Sequence, residues 1–377
     1  MKLRILHLAQ FLGVGGLEKV LFLLINEQLK AGHEVELVVY DYEQSWVEYF
    51  ISHGIKVDIT FMKSQGYDRK LLKFISQKSK KFDVVHTHDL NPLMYAAPVK
   101  FLHTITGKRF PKLIHTAHGM DHLHKRPITK LYEKLCSYQT NFTIGVSSAV
   151  CEYYINLGVS KKKVININNG TLVSDVSEFD LVQARGKLRS SFGLPPERPV
   201  WVSVARIVPL KDQQLICDLA RHSPEVTFLL IGPSGDDKYW KELEDARPPN
   251  VLMLGSRSDI SEILMGSDYF ISASRHEGIP ISVLEAGAIG VPCLLSDIPG
   301  HKLIQVGNTE TIAIFFKVGD LHDLNDKAKV LKNNQSLSKT IGSALHRHVK
   351  ENFSSTTMFK RYLDAYLGFS SIGQKHD

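Results

Sequence analysis

The sequence predicts an α/β protein built of two doubly wound, Rossmann-like domains facing a central cleft, and three observations carry that reading. Short apolar runs alternate with helix-length amphipathic segments along nearly all 377 residues, the pattern of βαβ units around parallel sheets. The alternation pauses once, near the middle of the chain. With 43% hydrophobic and 23% charged residues there is apolar material for two cores, and no solenoid or blade-length repeat competes with the assignment.

The first series opens with a strand at 3–9 (LRILHLA). Arg4, His7 and Gln10 interrupt its apolar run and no small-residue cleavage site follows, so it reads as a buried strand and not as a secretion signal. Further strands are expected at 34–40, 56–61, 83–87, 111–117 and 142–146, with helical patterns between them, for example Gly16 to Lys30 and Pro127 to Tyr138. Around 168–197 an Asn-Gly pair, serines, aspartates and a double proline raise turn propensity and lower hydrophobicity, which places the interdomain linker there. A second series follows, with strands near 199–205, 226–231, 251–254, 268–273, 291–295 and 311–316. The segment 354–367 begins with a Ser/Thr cluster suited to N-capping and continues as an amphipathic helix. The expected division is 1–170, 171–350 and a terminal piece 351–377. No stretch approaches the ~20 apolar residues that would cross a bilayer.

Four cysteines, at 136, 151, 217 and 293, form no CxxC pair, which argues against a structural zinc site and against a disulfide framework and points to the cytoplasm. The net charge of +7 is uneven: residues 1–170 hold 23 Lys and Arg against 14 Asp and Glu, residues 171–377 hold 23 against 25. A basic first half suits an anionic partner. Nucleic acid is disfavoured, because no zinc-finger spacing, RNP-type aromatic motif or basic-zipper pattern accompanies the charge. The segment 61–83 concentrates seven Lys/Arg against two Asp, and in a helix from about Arg69 its Leu71, Leu72, Phe74 and Ile75 share one face. That is the expected contact with an anionic membrane surface; if the same face packs on the sheet instead, the lysines remain for reversible peripheral binding.

In open parallel sheets ligands bind at the carboxyl ends of strands, so chemistry is sought there. The sharpest signal is SRHEGIPISVLEAGAIGVPCLLSD, residues 274–297. Glu277 lies in the loop before a helix that starts near Ile281, and Glu285 about one turn into it. A helix start offers unpaired N–H groups to an anion, and two flanking carboxylates can accept hydrogen bonds from sugar hydroxyls. The plain alternative is that Glu277 caps the helix and Glu285 is solvated. Arg206 and Lys211 follow another strand, where a guanidinium and an ammonium can hold a pyrophosphate. Near the amino end, Gly13, Gly15 and Gly16 form a loop before a helix, but GxGGxE is not the dinucleotide fingerprint GxGxxG, so a nicotinamide cofactor is disfavoured. Seven histidines fall between 86 and 124 (86, 88, 103, 115, 118, 122 and 124). No carboxylate cluster completes a metal set, most are expected to be solvated or structural, and His118 is best placed to project into the cleft.

Taken together, GGLE at 15–18, HTAHG at 115–119, VSSAV at 146–150, NNG at 168–170, ARIVPLK at 205–211, EGIPISVLEA at 277–286 and DIPG at 297–300 resemble the retaining glycosyltransferases of the GT-B fold, most of all glycosyltransferase family four of the group 1 type. The resemblance implies a C-terminal helix crossing back onto the first, acceptor-side domain. It implies roles position by position: Gly16, Arg206 and Lys211 for the donor diphosphate, and Glu277 with Gly278, Ile279 and Pro280 for the donor sugar. Glu285 with Ser256, Arg257 and Ile260 would hold the nucleoside, and His118 and Glu277 would act at the reacting carbon. It implies a nucleotide-sugar donor, with a UDP-sugar as first guess, no cofactor and no metal, and a glycan or lipid-linked acceptor in bacterial surface polysaccharide synthesis. The protein would then work in the cytoplasm, either free or peripheral on the inner face of the cell membrane. Pro299-Gly300 stands where two glycines are common in the family, which leaves donor identity open. The competing expectations are a sugar-nucleotide epimerase or a phosphorylase on the same fold, which would need further acid/base carboxylates or a Schiff-base lysine, and a non-catalytic carbohydrate- or membrane-binding module.

Overall fold

The computed structural model describes residues 1–13, 15–42, 45–119, 127–173, 175–305 and 307–369. His122 and His124 lie outside the described residues. The chain divides into two compact units: the first takes residues 1–170 and the segment from Ser355 onward, the second Thr171–Ser354.

The first unit holds a seven-stranded parallel sheet of β1 (Arg4–Ala9), β2 (Glu34–Val39), β3 (Lys56–Asp58), β4 (Val84–His88), β5 (Lys112–Ala117), β6 (Phe142–Gly145) and β7 (Val164–Asn166), in the order β3-β2-β1-β4-β5-β6-β7. The second holds β8 (Val200–Val204), β9 (Thr227–Ile231), β10 (Val251–Met253), β11 (Tyr269–Ser272), β12 (Cys293–Ser296) and β13 (Ile314–Phe316), in the order β10-β9-β8-β11-β12-β13. In each sheet the strand order reverses once, between β1 and β4 and between β8 and β11. The carboxyl ends flanking such a reversal leave a crevice that no crossover helix covers.

One face of the first sheet is apolar: Leu6, Leu8, Val85 and Leu113 pack with Leu71 and Ile75 of the helix Arg69–Lys78 and with Leu93, Ala96 and Ala97 of the helix Leu90–Ile105. That packing takes up the apolar face expected to meet a membrane through 61–83, while Lys70, Lys73, Lys80 and Lys81 stay exposed. Leu71 and Ile75 are wholly buried, Leu72 and Phe74 pack against the same core, and Lys78 is tied to Glu36 and Asp58. The apolar stripe turns to the sheet because an amphipathic crossover helix gains most by covering it.

The interdomain linker expected at 168–197 is also corrected. Most of it is a helix, Glu178–Ser191, opened by a capping box between Ser177 and Asp180. Only Leu188 and Arg189 of this helix are buried. Leu188 packs in the second core, and the Arg189 guanidinium donates to the carbonyls of Gly266 and Arg198 and to Asp268 Oδ2 at 2.6 Å. A helix anchored by one leucine and one buried arginine lacks the apolar periodicity that would announce it.

At the other end, the helix Gln335–Asn352 runs past position 350 and stays with the second unit. The terminal helix Ser355–Leu367 packs on the first, against the helix Gly16–Lys30 and β5. The two chain crossings run side by side, with Thr171 N–H donating to Phe353 O at 2.8 Å.

Candidate functional site

In the second unit the reversal between β8 and β11 brings two loops together. The loop after β8 carries Arg206, which is exposed, then a tight turn Pro209–Lys211 and Asp212 in the left-handed region at φ 51°. The loop after β11 carries Ser274, Arg275 and Glu277. Lys211 Nζ bonds Glu277 Oε1, to which Ser274 Oγ also donates at 2.8 Å. Arg275 pairs with Asp212 at 2.8 Å, and its N–H donates to Leu210 O at 2.9 Å. The side chains of Lys211 and Glu277 are only 15% and 14% exposed, so a charge pair stands partly dried at the crevice.

Close approach of backbones holds these loops. A Cβ on Gly232 would stand 2.0 Å from Ala205 O, and one on Gly300 would stand 2.2 Å from both Glu277 O and Gly278 O. Any side chain at either place would push a site loop outward.

The helix Ile281–Ile289 starts directly after that loop, with Pro280 in the N-cap position and no side chain capping it. Its first-turn N–H groups therefore face outward beside Glu277, the arrangement that receives an anion. Glu277 does not cap the helix, and Glu285, one turn in, is 8% exposed, so both plain alternatives fail. Gly278 is exposed, but the side chain of Ile279 belongs to the second unit's core and that of Pro280 is buried. Side-chain contact of these two with a sugar is thereby excluded, and what they offer a ligand is backbone.

Ser256 and Arg257 are exposed in the loop after β10. Arg257 makes two bonds to Asp259, 2.8 and 2.6 Å, which hold its guanidinium back along the loop, and Ile260 packs partly on the core. A groove of about 800 Å³ opens between the helix Glu178–Ser191 and residues 257–265, and of the residues singled out only Arg257 lines it. The charge chemistry lies elsewhere, on the crevice.

In the first unit the reversal between β1 and β4 carries the glycine loop and Asp89. Gly16 is the first residue of the helix Gly16–Lys30, and Gly13 N–H donates to Glu18 Oε1 at 3.2 Å, which folds the loop over the helix start. Asp89 adopts φ 64°, a region that costs a non-glycine residue about 1–3 kcal/mol. The strain has a purpose: Asp89 N–H donates to Thr116 O at 2.8 Å while its Oδ1 accepts from His118 N–H at 2.9 Å, so the ends of β4 and β5 are stapled and His118 is set in place. The imidazole of His118 rests by Nε2 on His88 Nδ1 at 3.1 Å, and burial lowers its pKa.

Of the other histidines in the 86–124 run, 86, 88, 103 and 115 are buried, not solvated. His86 and His88 lie with His7 in a cluster whose nitrogens fall within 4.8 Å of one another, a possible metal donor set. All six ring nitrogens, however, already have hydrogen-bond partners among protein groups. A cation would have to displace those bonds in a site closed to water, and the residues do not fit one.

Asp89, Asp212, Ser274 and Arg275 escape the sequence reading. The signal that could have found them is position, since each follows a strand that borders a reversal.

Comparison with known proteins gives a consistent result. Residues 14–173 match the family described as Glycosyltransferase Family 4, and residues 184–347 the one described as Glycosyl transferases group 1. A UDP-Gal:alpha-D-GlcNAc-diphosphoundecaprenol alpha-1,3-galactosyltransferase of Escherichia coli is 26% identical over 331 residues, 80% of this chain and 81% of that one. An N,N'-diacetylbacillosaminyl-diphospho-undecaprenol alpha-1,3-N-acetylgalactosaminyltransferase of Campylobacter jejuni is 24% identical over 243 residues, 63% of each chain. The crystal structure of Anabaena HepE in complex with UDP superposes with a TM-score of 0.81 at 19% identity, covering 96% of this chain and 99% of that one, a likeness of fold.

Proposed function

The chain belongs to the group 1 glycosyltransferases of glycosyltransferase family 4, with the GT-B fold, and from that premise we propose that it moves a hexose from a nucleoside-diphosphate sugar to a hydroxyl of a lipid-linked glycan, with retention at the anomeric carbon, in bacterial surface polysaccharide synthesis. The observation that carries the reading is the Lys211–Glu277 pair beside the uncapped start of Ile281–Ile289. A diphosphate arriving there takes Lys211, Arg206 and the helix N–H groups as partners. Glu277, released from Lys211, turns its carboxylate to sugar hydroxyls.

Charge growing on the leaving β-phosphate is the main electrostatic demand of the reaction, and cationic side chains with a helix start meet it without a divalent ion. Gly16 serves the donor diphosphate, His118 the transferred sugar and Glu285 the ribose. With no second carboxylate assigned to the opposite face of the sugar, the acceptor hydroxyl attacks from the side of the departing phosphate and gives its proton to that phosphate. The two curated relatives are named for diphosphoundecaprenol acceptors, which supports a lipid-linked acceptor here.

The surface that suits an anionic membrane is the helix Pro127–Tyr138. Ile128, Leu131, Leu135 and Tyr138 lie exposed along one side of it, with Lys130 and Lys134 beside them. No described helix is long and apolar enough to cross a membrane.

The test is turnover of a panel of nucleotide sugars, with excess EDTA, on acceptors held in anionic vesicles, the anomer of the product being read by NMR. We expect one donor to be turned over with retention and vesicle binding to be lost in Leu131→Glu/Leu135→Glu. An inverted product, a strict need for Mg²⁺ or Mn²⁺, or donor isomerised without transfer would sink the mechanism.

A further inference from the structure

On the other face of the first sheet, beside the apolar cluster of Ala9, Leu37, Leu21 and Ile25, runs a continuous chain of hydrogen bonds. In register His7 of β1 lies opposite His86 of β4, and His88 opposite Thr116 of β5, so all four share one face. The helix Gly16–Lys30 adds Gln28 and the terminal helix adds Tyr362 and Tyr366, all of them buried.

From the site inward the links are His118 Nε2 to His88 Nδ1 at 3.1 Å, His88 Nε2 to His7 Nδ1 at 2.9 Å, and His7 Nε2 to Gln28 Oε1 at 2.9 Å. They continue as Gln28 Nε2 to Tyr366 Oη at 3.0 Å, Tyr366 Oη to His86 Nδ1 at 2.8 Å, His86 Nε2 to Thr116 Oγ1 at 2.8 Å and Thr116 Oγ1 to Tyr362 Oη at 3.2 Å.

A neutral imidazole has one N–H, so donation at one ring nitrogen makes the other an acceptor. Gln28 presents its carbonyl oxygen to His7 and its amide N–H to Tyr366, and that orientation sets every member between Gln28 and the site. His7 donates from Nε2 and accepts at Nδ1, His88 does the same, and His118 donates from Nε2. The Nδ1 of His118, buried and without a partner among the described residues, is then left with a lone pair. The opposite polarity would bury an unpaired N–H at that atom, the costlier arrangement.

We propose that Gln28, His7 and His88 are positioning residues which hold His118 as the Nε2–H tautomer, so that its Nδ1 accepts a hydrogen bond from a substrate hydroxyl. The proposal rests on His118 acting on the transferred sugar and adds to that reading its direction: His118 accepts a hydrogen bond from a sugar hydroxyl and does not donate to a sugar oxygen. Burial supports it, pushing the pKa of His7 down to about 4 and those of His86 and His88 well below the ordinary value, so each ring carries one proton at neutral pH. Ring orientation set by the partner of the other nitrogen is the general means by which histidines are aimed.

The experiment is two-bond ¹H–¹⁵N correlation of the histidine-labelled full chain, which reads the tautomer of each ring independently of turnover. His118 is expected as Nε2–H in the wild type and in Tyr362→Phe, which lies beyond Thr116 at the far end of the chain and leaves the Tyr366–Gln28–His7–His88–His118 part intact. It is expected as a mixture in Gln28→Met, with kcat lower by about tenfold and KM for the donor within about twofold, since a wrongly presented imidazole is lost to the chemical step more than to binding. An Nδ1–H tautomer in the wild type, or an unchanged His118 spectrum in Gln28→Met, overturns the proposal. Should Gln28→Met not fold, the wild-type spectrum alone still decides. A correct tautomer in a protein that transfers no sugar would leave the chain of bonds standing and remove the assigned reaction instead.

Discussion

The two sheets share one winding scheme and differ in how much buried polar chemistry they hold. In the second, both faces are apolar: Val200, Val202, Leu229 and Phe270 point into one core, Trp201, Phe228, Leu230 and Ile271 into the other. In the first, Leu6, Leu8, Val85 and Leu113 enter one core beside the buried Thr87 and His115, and the other face carries three histidines with a glutamine, a threonine and two tyrosines next to an apolar cluster of Ala9, Leu37, Val39, Leu21 and Ile25. An apolar core tolerates small errors of fit, because dispersion and burial have no direction. A buried polar face is stable only when each donor meets an acceptor, and then it fixes orientation as well as position. The second sheet thus carries the Lys211–Glu277 charge pair at its rim, and the first a hydrogen-bonded chain that ends on one imidazole.

The largest effect that would break this contrast belongs to the charge site. Lys211→Ala and Glu277→Ala should each lower turnover by about a hundredfold, the scale of removing one preorganised partner of developing charge, while melting temperatures stay near wild type. Near-normal rates in both variants would mean that the second unit's rim is not where charge is handled.

Stability comes next. Leu229→Ala, a wholly buried leucine, should cost about 2–5 kcal/mol in urea unfolding. Tyr366→Phe removes one oxygen yet strands Gln28 Nε2 and His86 Nδ1, and should cost about 1–3 kcal/mol. If Tyr366→Phe is as stable as the wild type, the polar face is slack and the contrast dissolves.

The smallest effect is with pH. His7, His86 and His88 have folded pKa values below the unfolded value, so between about pH 6.5 and pH 4 the unfolded chain binds more protons than the folded one. Their contribution is whole above pH 6.5 and is lost as pH falls through that window. The second unit has the more isolated His301 and His348 lowered by burial. Hydrogen exchange at pH 7 and pH 5 should therefore show protection falling more in β1, β4 and β5 than in β8, β9 and β11. Equal losses in the two sheets would refute the assignment of acid sensitivity to the histidine face.

What could be read from the sequence, and what could not, follows from how far apart the partners lie along it. The start of a helix at Ile281, the loop placement of Glu277 and the position of Glu285 one turn on are local properties, written in ten consecutive residues, and the structure has them so. The pairing of Lys211 with Glu277 joins residues 66 apart and needs only the rule that ligands gather at strand ends. By contrast, Gln28 meets Tyr366 across 338 residues, and nothing in either neighbourhood announces the other. His7 reads as an interruption in an apolar strand, and the histidines at 86 and 88 as solvated or structural with no partner named, because their partners come from two helices at opposite ends of the chain. The helix Glu178–Ser191 was hidden for another reason: its burial is one leucine and one arginine, so its pattern is that of a polar linker. The lysine-rich segment 61–83 misleads in the opposite sense, since an apolar stripe looks the same whether it meets lipid or a sheet.

The terminal helix has a further consequence, for the order in which the protein can be made. Tyr362 and Tyr366 complete the first unit, but the ribosome reaches them only after the whole of Thr171–Ser354. At about 5–20 residues per second, that places on the order of 10–40 s between the emergence of β7 and that of the last tyrosine. During this interval His7, His86 and Gln28 have no terminal helix over them, and the nascent sheet presents a half-satisfied polar face while the second unit, continuous in sequence, can fold to completion. Synthesis therefore finishes the unit that carries Lys211 and Glu277 before the unit that carries His118.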